Sequence, residues 1–204
     1  AHASTDAVAR LMPAYAGPLL MEEVSALTAA LEAPKRPSVA IVGGAKVSSK
    51  IDVLKSLVTR LDAVIVGGGM ANTFLYAKGA PMGVSLHESD QIATVREIEA
   101  LADEHGCQIV LPEDVVVARE FREHAVNRIV AADECPEDMM ILDAGPKALA
   151  TFQAVMADAN TILWNGPLGA FEMRPFDRST VELARTAAEL TRDGDESTCV
   201  FDQP

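Results

Sequence analysis

Aromatic residues make up only 4% of the 204-residue chain, so its core must be built from Val, Ile, Leu, Ala and Met. Basic residues are also scarce, with 17 Lys and Arg against 30 Asp and Glu and a net charge of −13. That balance opposes a nucleic-acid or anionic-membrane partner, which calls for a broad basic face. Any bound polyphosphate would have to be held by a local cluster of donors. The three cysteines, Cys107, Cys135 and Cys199, are odd in number and far apart. They make neither a disulfide framework nor a metal-ligand spacing, and they suit a reducing, cytoplasmic setting. No apolar run reaches membrane-spanning length, and the first residues lack the charged and apolar regions of a signal peptide. The chain begins with Ala1 rather than Met, so a piece of a longer protein is expected.

What the chain does have is hydrophobic mass, 49% of residues, and glycine placed at informative points. Residues 39–50 read VAIVGGAKVSSK. A β-branched run ending in Gly43-Gly44 is the pattern of a strand buried in a parallel sheet, followed by a turn and a helix over 46–60. Such a turn aims backbone N–H groups beyond the sheet, which suits an anion. On a helix, Lys46 and Lys50 at i, i+4 would share one face. An ordinary strand-to-helix turn with two solvated lysines accounts for this stretch equally well on its own.

The same alternation continues along the chain. Strands are expected at 39–42, 63–66, 108–111 running on into 115–117, 129–131 and 161–164. Helices are expected at 46–60, 71–77, 90–105, 147–158 and 177–190. That order implies an α/β fold, a doubly wound, Rossmann-like parallel β-sheet with helices on both faces. Ligands in such sheets bind beyond the carboxyl ends of the strands. Glycine turns fall there three times: Gly43-Gly44, Gly67-Gly68-Gly69 and Asn165-Gly166-Pro167. Before this domain, residues 1–18 are broken by Pro13, Gly17 and Pro18 and read as a connector. Residues 19–31 carry Leu20, Val24, Leu27 and Leu31 on one helical stripe, expected to pack on the domain. Near the end of the chain, 197–201 could form a short final strand.

Common phosphate motifs fail. GGAKVSSK lacks the glycine spacing of G-x-x-x-x-G-K-[ST]. In GGGMAN, Asn72 stands where the third glycine of G-x-G-x-x-G belongs, although Glu88 or Asp90 follows about twenty residues on. A dinucleotide-dependent oxidoreductase thus remains an alternative, without a candidate hydride site. There is no G-x-S-x-G elbow, and His2, His87, His105 and His124 are scattered, as surface residues are.

Five blocks taken together, VAIVGGAKVSSKI, VIVGGGMANTFL, LPEDVVVA, MILDAGPKA and TILWNGPLGAFE, closely resemble the nucleotide-binding C-terminal domain of the phosphoglycerate kinase family. PAYAGPLLMEEVSALTAALEAPKRP resembles the segment that crosses between that family's two domains. The resemblance implies that residues 1–18 are the end of an N-terminal domain, 19–37 an interdomain helix and linker, and 38–204 the nucleotide-binding domain. It further implies a glycolytic kinase, a phosphotransferase moving a phosphoryl group between 1,3-bisphosphoglycerate and ADP to give 3-phosphoglycerate and ATP, with magnesium. It also implies a cytoplasmic monomer. Lys50 matches the lysine that contacts the phosphates and the moving group, and Lys46 the second lysine of that motif. Gly44 and Ala45 match backbone beside the nucleotide, and Gly67 and Gly68 the wall of the adenine pocket. Gly145 matches a further nucleotide-contact glycine. Asn165, Gly166, Pro167, Phe171 and Glu172 match the loop that holds the nucleotide, with Glu172 as the ribose carboxylate. Trp164 is expected to be core packing.

Two departures from the pattern bear on function. The family's substrate-binding N-terminal domain is almost wholly absent from these 204 residues, and His2 does not match its substrate histidine. The closing Gly-Gly-Gly-Asp-Thr turn, with its magnesium aspartate, is also absent, and neither Asp195 nor Asp202 is assigned that role. The metal ligand is therefore unknown. The chain is expected to carry the nucleotide half only and to be inactive alone, which leaves an isolated adenine-nucleotide-binding module as an alternative.

Overall fold

Strands with apolar residues on both faces need cover on both sides, and here the Val- and Ile-rich runs pair side by side to obtain it. The computed structural model describes residues 7–13, 15–193 and 198–202; His2 and Asp195 lie outside them. At the centre of a five-stranded parallel sheet, β1 (Ser38–Val42) lies between β2 (Ala63–Val66) and β7 (Thr161–Asn165). Beyond β2 lies β3 (Gln108–Val110), and beyond β7 lies β8 (Thr198–Asp202). The spatial order β3-β2-β1-β7-β8 reverses direction between β1 and β7. That boundary is the switch point at which open α/β sheets leave a crevice. Val42 is in register with Val66 on one side and Asn165 on the other. The three turns that follow therefore leave the sheet level with one another.

The period-2 alternation of the strands divides the core in two. Ala40, Val42, Val64, Val66 and Leu163 pack with α3 (Ile51–Val58), α4 (Gly68–Ala77) and α5 (Ile92–His105). Val39, Ile41, Ala63, Ile65, Ile162 and Trp164 pack on the opposite face with α6 (Pro146–Ala157) and α7 (Arg178–Asp193). The doubly wound α/β architecture is thus present. Among the described residues no helix is long and apolar enough to cross a membrane.

Three local expectations are corrected. Residues 115–117 do not continue β3: Pro112, which has no N–H to donate, interrupts the chain, and β4 (Asp114–Ala118) joins a separate antiparallel sheet of order β5-β4-β6. Its other members are β5 (Asn127–Ala131) and β6 (Met140–Ala144), the latter not anticipated as a strand. Next, Lys46 and Lys50 do not share a helical face. Lys46 is extended (φ −135°, ψ 126°), a single 3-10 turn spans Val47–Ser49, and α3 starts only at Ile51. Serine hydroxyls compete with helical bonding there, as Ser49 Oγ donates to Lys46 O at 2.7 Å. Finally, only part of α2 (Pro18–Glu32) packs on the domain, through Ala30, Leu27 and Leu31. Leu19, Leu20, Met21 and Val24 on its first half are exposed, and a short helix α1 (Ala7–Leu11) occupies the stretch read as connector.

Candidate functional site

Three turns meet at the switch point, and their contacts are backbone on backbone. Gly43 N–H donates to Asn165 O at 2.9 Å, Gly67 N–H to Val42 O at 2.9 Å, Gly68 N–H to Leu168 O at 2.9 Å and Met70 N–H to Gly44 O at 3.0 Å. A Cβ on Gly43 would lie 1.8 Å from Pro167 O, so only glycine permits this approach. Gly68 has φ +65°, and a Cβ there would stand 2.8 Å from Gly44 O. A Cβ on Gly67 would strike Leu168 at 2.3 Å. The lack of bulk at Gly67 and Gly68 is therefore required by the neighbouring turns themselves, before any ligand is considered.

Lys50 bridges two of these turns. Its Nζ donates to Gly43 O at 3.0 Å and to Asn165 Oδ1. The cation is half-buried at the carboxyl ends of β1 and β7 and is aimed by the first and third turns together. Trp164 is buried in the core, as expected, and its Nε1 also donates to Gly166 O at 2.7 Å, which fixes the third turn. Lys46 is exposed beside the first turn.

Next to the turns lies a cleft of about 270 Å³, predominantly apolar. It gathers seven of the residues singled out from the sequence: Gly44, Ala45, Gly67, Gly68, Pro167, Phe171 and Glu172. Lys50, Asn165 and Gly166 adjoin it through the hydrogen bonds above. Gly145 is not among the residues that line it. Its glycine character answers to Asp114, whose carboxyl would lie 2.3 Å from a Cβ there. That carboxylate accepts the N–H groups of Ala148 at 2.8 Å and Lys147 at 3.2 Å, so the first turn of α6 is capped from within the protein.

The opposite wall comes from parts of the chain with no glycine signature. Ile141 and Leu142 of β6, Leu86 of the α4–α5 loop and Phe121 of the β4–β5 loop face the cleft. Phe121 is 62% exposed and Leu86 57% exposed, so both keep one face in solvent. Phe171, 46% exposed, joins them at the mouth. An apolar slot closed by aromatic rings and opening onto amide-rich turns and a lysine suits a flat heteroaromatic base with a phosphate tail. The signal that could have found Phe121 was a phenylalanine amid the charged run Arg119, Glu120, Arg122 and Glu123.

Within this wall, and also lining the cleft, sits Asp143, 2% exposed. It accepts bonds from Ser179 N–H at 3.0 Å, Ser179 Oγ and Ala144 N–H at 2.9 Å. Burial pushes its carboxyl up to about 6, against the pull of the Ser179 and Ala144 bonds and with a small push from Asp177. A Cβ on Gly169 would touch Asp143 Oδ1 at 2.3 Å, so the third turn rests directly on this carboxyl. Among the described residues no group of three or more His, Cys, Asp or Glu could hold a metal ion.

The phosphoglycerate kinase family model matches residues 1–200. The chain is 55% identical over 194 residues to a phosphoglycerate kinase of Methylorubrum extorquens, covering 95% of this chain and 48% of that protein. It is 56% identical over 194 residues to one of Cereibacter sphaeroides, covering 95% and 49%. Phosphoglycerate kinase from Coxiella burnetii superposes with a TM-score of 0.82 at 44% identity, over 85% of this chain and 45% of that one. The enzyme from Pyrococcus horikoshii OT3, at 23% identity and TM-score 0.75, shares the fold. The chain thus spans about half the length of the curated relatives it matches. With a match over almost all of its residues and the switch-point turns assembled as described, the chain belongs to the phosphoglycerate kinase family.

Proposed function

We propose that this chain is the nucleotide half of a phosphoglycerate kinase, which moves a phosphoryl group reversibly between 1,3-bisphosphoglycerate and ADP. The observation that carries this reading is Lys50 Nζ, held by Gly43 O and Asn165 Oδ1 between two amide-rich turns beside an apolar cleft. A base fits the slot of Phe121, Phe171, Leu86 and Leu142, and Glu172 accepts the ribose hydroxyls at its exposed edge. Gly67 and Gly68 form a side-chain-poor wall for the base, Gly44, Ala45, Gly166 and Pro167 supply a close surface for the phosphates, and Lys46 a second cation.

In the reaction, a β-phosphate oxygen of ADP attacks the acyl phosphorus. The bond from phosphorus to the carboxyl oxygen breaks, and 3-phosphoglycerate leaves as a carboxylate. Charge spreads over three equatorial oxygens in a loose transition state, where an oriented ammonium stabilises more than in the ground state. Lys50 takes that role, and no proton need move. Magnesium would arrive with the nucleotide and neutralise phosphate charge. Among the described residues no group of three or more His, Cys, Asp or Glu could hold a metal ion.

The acyl-phosphate donor would be held by a second domain, facing the exposed apolar half of α2, which we assign with residues 19–37 as the interdomain segment. The whole protein would then work in the cytoplasm, where the buried thiols of Cys107 and Cys135 suit a reducing setting. Titration calorimetry of this chain should detect ADP binding, with adenosine weaker. A coupled assay should give negligible turnover for this chain and ordinary turnover for the two-domain protein. Failure to bind ADP would end the nucleotide reading, and ordinary turnover from the chain alone would end the half-site reading.

A further inference from the structure

The lysine-bearing turn is held only in part by its own sequence, where Ser49 Oγ donates to Lys46 O at 2.7 Å. Within Val47–Ser49 the chain makes one 3-10 turn, closed by Lys50 N–H donating to Val47 O at 2.9 Å. Ser48 and Ser49 are exposed, and two serines in succession are weak determinants of a single backbone conformation. A clasp from elsewhere supplies the constraint. Ser48 N–H donates to Glu88 Oε2 at 3.0 Å and Ser48 Oγ donates to Glu88 Oε1 at 2.5 Å. Both carboxylate oxygens are thus engaged by one residue, 40 positions away in the chain. Bonds of this kind, to an ionised acceptor, are the stronger class.

Glu88 is itself tied to the second glycine turn. Its N–H donates to Thr73 Oγ1 at 3.1 Å, and Thr73 Oγ1 donates to Gly69 O at 3.1 Å. One position earlier, Asn72 Nδ2 donates to Leu86 O at 3.0 Å. Thr73 and Asn72 are buried, so these anchors are fixed on the first turns of α4. Asn72, the residue that breaks the dinucleotide glycine pattern, has its side-chain amide committed to this loop. A continuous chain of bonds therefore runs from Gly69 through Thr73 and Glu88 to Ser48, two residues from both Lys46 and Lys50. The arrangement sets a carboxylate against the turn that carries the phosphate-site lysines, where its charge alone would disfavour an anion. A positional role accounts for that placement.

We propose that Glu88 is a positioning residue of the phosphate site, setting the conformation of the Val47–Ser49 turn and through it the aim of Lys46 and Lys50. The inference rests on the nucleotide reading above. Calorimetry on this chain with adenosine, ADP and ATP as separate probes tests it. Glu88→Ala should weaken ADP and ATP about tenfold, the scale of one hydrogen bond to a charged group, and leave adenosine within about twofold. Glu88→Gln, which keeps one acceptor in place and changes little in volume, should recover part of the loss. Ser48→Ala should also weaken ADP, and the Ser48→Ala/Glu88→Ala pair should be no worse than Glu88→Ala alone.

Three results overturn the proposal. ADP affinity could be unchanged, or adenosine could weaken in parallel, the mark of a general loss of structure. Alternatively both Glu88 variants could bind ADP more tightly, which would make the carboxylate a mere repulsive charge. A wild-type chain that binds adenosine as tightly as ADP, or binds neither, brings down the nucleotide-phosphate reading itself and this proposal with it. That failure is recognisable before any variant is made.

Discussion

On one side of the cleft, backbone meets backbone so closely that a Cβ on Gly43 would lie 1.8 Å from Pro167 O. On the other side, Phe121 and Leu86 are more than half exposed and sit on loops flanking the small antiparallel sheet. The first wall is the end of the parallel sheet and admits no adjustment without moving a strand. The second is made of side chains with solvent on one face, which can shift by rotation. The contrast assigns the two walls different tasks. A phosphoryl group reacts only where it is placed within a fraction of an ångström, and rigid turns with an aimed lysine provide that. A base needs apolar area, and exposed aromatic rings provide that without fixed geometry.

The largest expected effect belongs to the cation of the rigid wall. In the whole two-domain protein, Lys50→Ala should slow turnover by about 10²–10³, equivalent to about 2.7–4 kcal/mol, the scale of losing one donor aimed at transition-state charge. The dissociation constant for ADP should change by less than about tenfold. Steady-state kinetics beside calorimetry separates the two; equal losses would make Lys50 a ground-state phosphate anchor.

Rigidity itself is tested next. Gly43→Ala should cost about 3 kcal/mol in urea denaturation, because the clash is with backbone that cannot turn aside. Gly17→Ala, at the N-cap of α2 with nothing within 4 Å of the added Cβ, should cost under about 1 kcal/mol. Similar losses at the two positions would contradict the picture of interlocked turns.

How far each wall could be read from sequence follows the same division. The parallel sheet was legible because Val39–Val42 and Ala63–Val66 are runs rich in β-branched residues closed by glycine, and because both faces need apolar cover. The glycine turns were legible as positions beyond strand ends, although at Gly67, Gly68 and Gly145 contact within the protein already requires glycine. The antiparallel sheet was not legible. Its strand Met140–Ala144 has five residues, carries Asp143 in its interior and shows no simple alternation. Its partners arrive from 22 or more positions away, and only that tertiary pairing defines it as a strand. The lysine turn misled for a local reason, since Ser48 and Ser49 bond to Glu88 and Lys46 O where helical bonds were expected.

Asp143 joins the walls, since the third turn rests on a carboxyl carried by β6. Burial raises this group from its ordinary 3.8 to about 6, so the folded state holds the proton more tightly than the unfolded chain does. Stability from this group is therefore greatest below about pH 4 and is lost as pH rises to about 6, by up to about 3 kcal/mol. Other carboxylates contribute their own dependence, so the quantity to measure is the difference between wild type and Asp143→Asn. That difference should move against the wild type across this window and level off above it. A flat difference between pH 4 and 7 would mean the carboxyl is not held at raised affinity for its proton.

The smallest effect belongs to the adaptable wall. Phe121→Ala should remove apolar area from the base end of the cleft while leaving every bond among the glycine turns in place. Stability should barely change, because a side chain 62% exposed contributes little to folding. Affinity for ADP and for adenosine should fall by the same factor, about five- to tenfold, close to the 1 kcal/mol expected of one aromatic contact. Phe121→Leu should restore part of it, since the slot asks for area more than for a particular shape. If Phe121→Ala instead weakened ADP much more than adenosine, the ring would be acting on the phosphate turns. The two walls would then be a single mechanical unit despite the difference in how they are built.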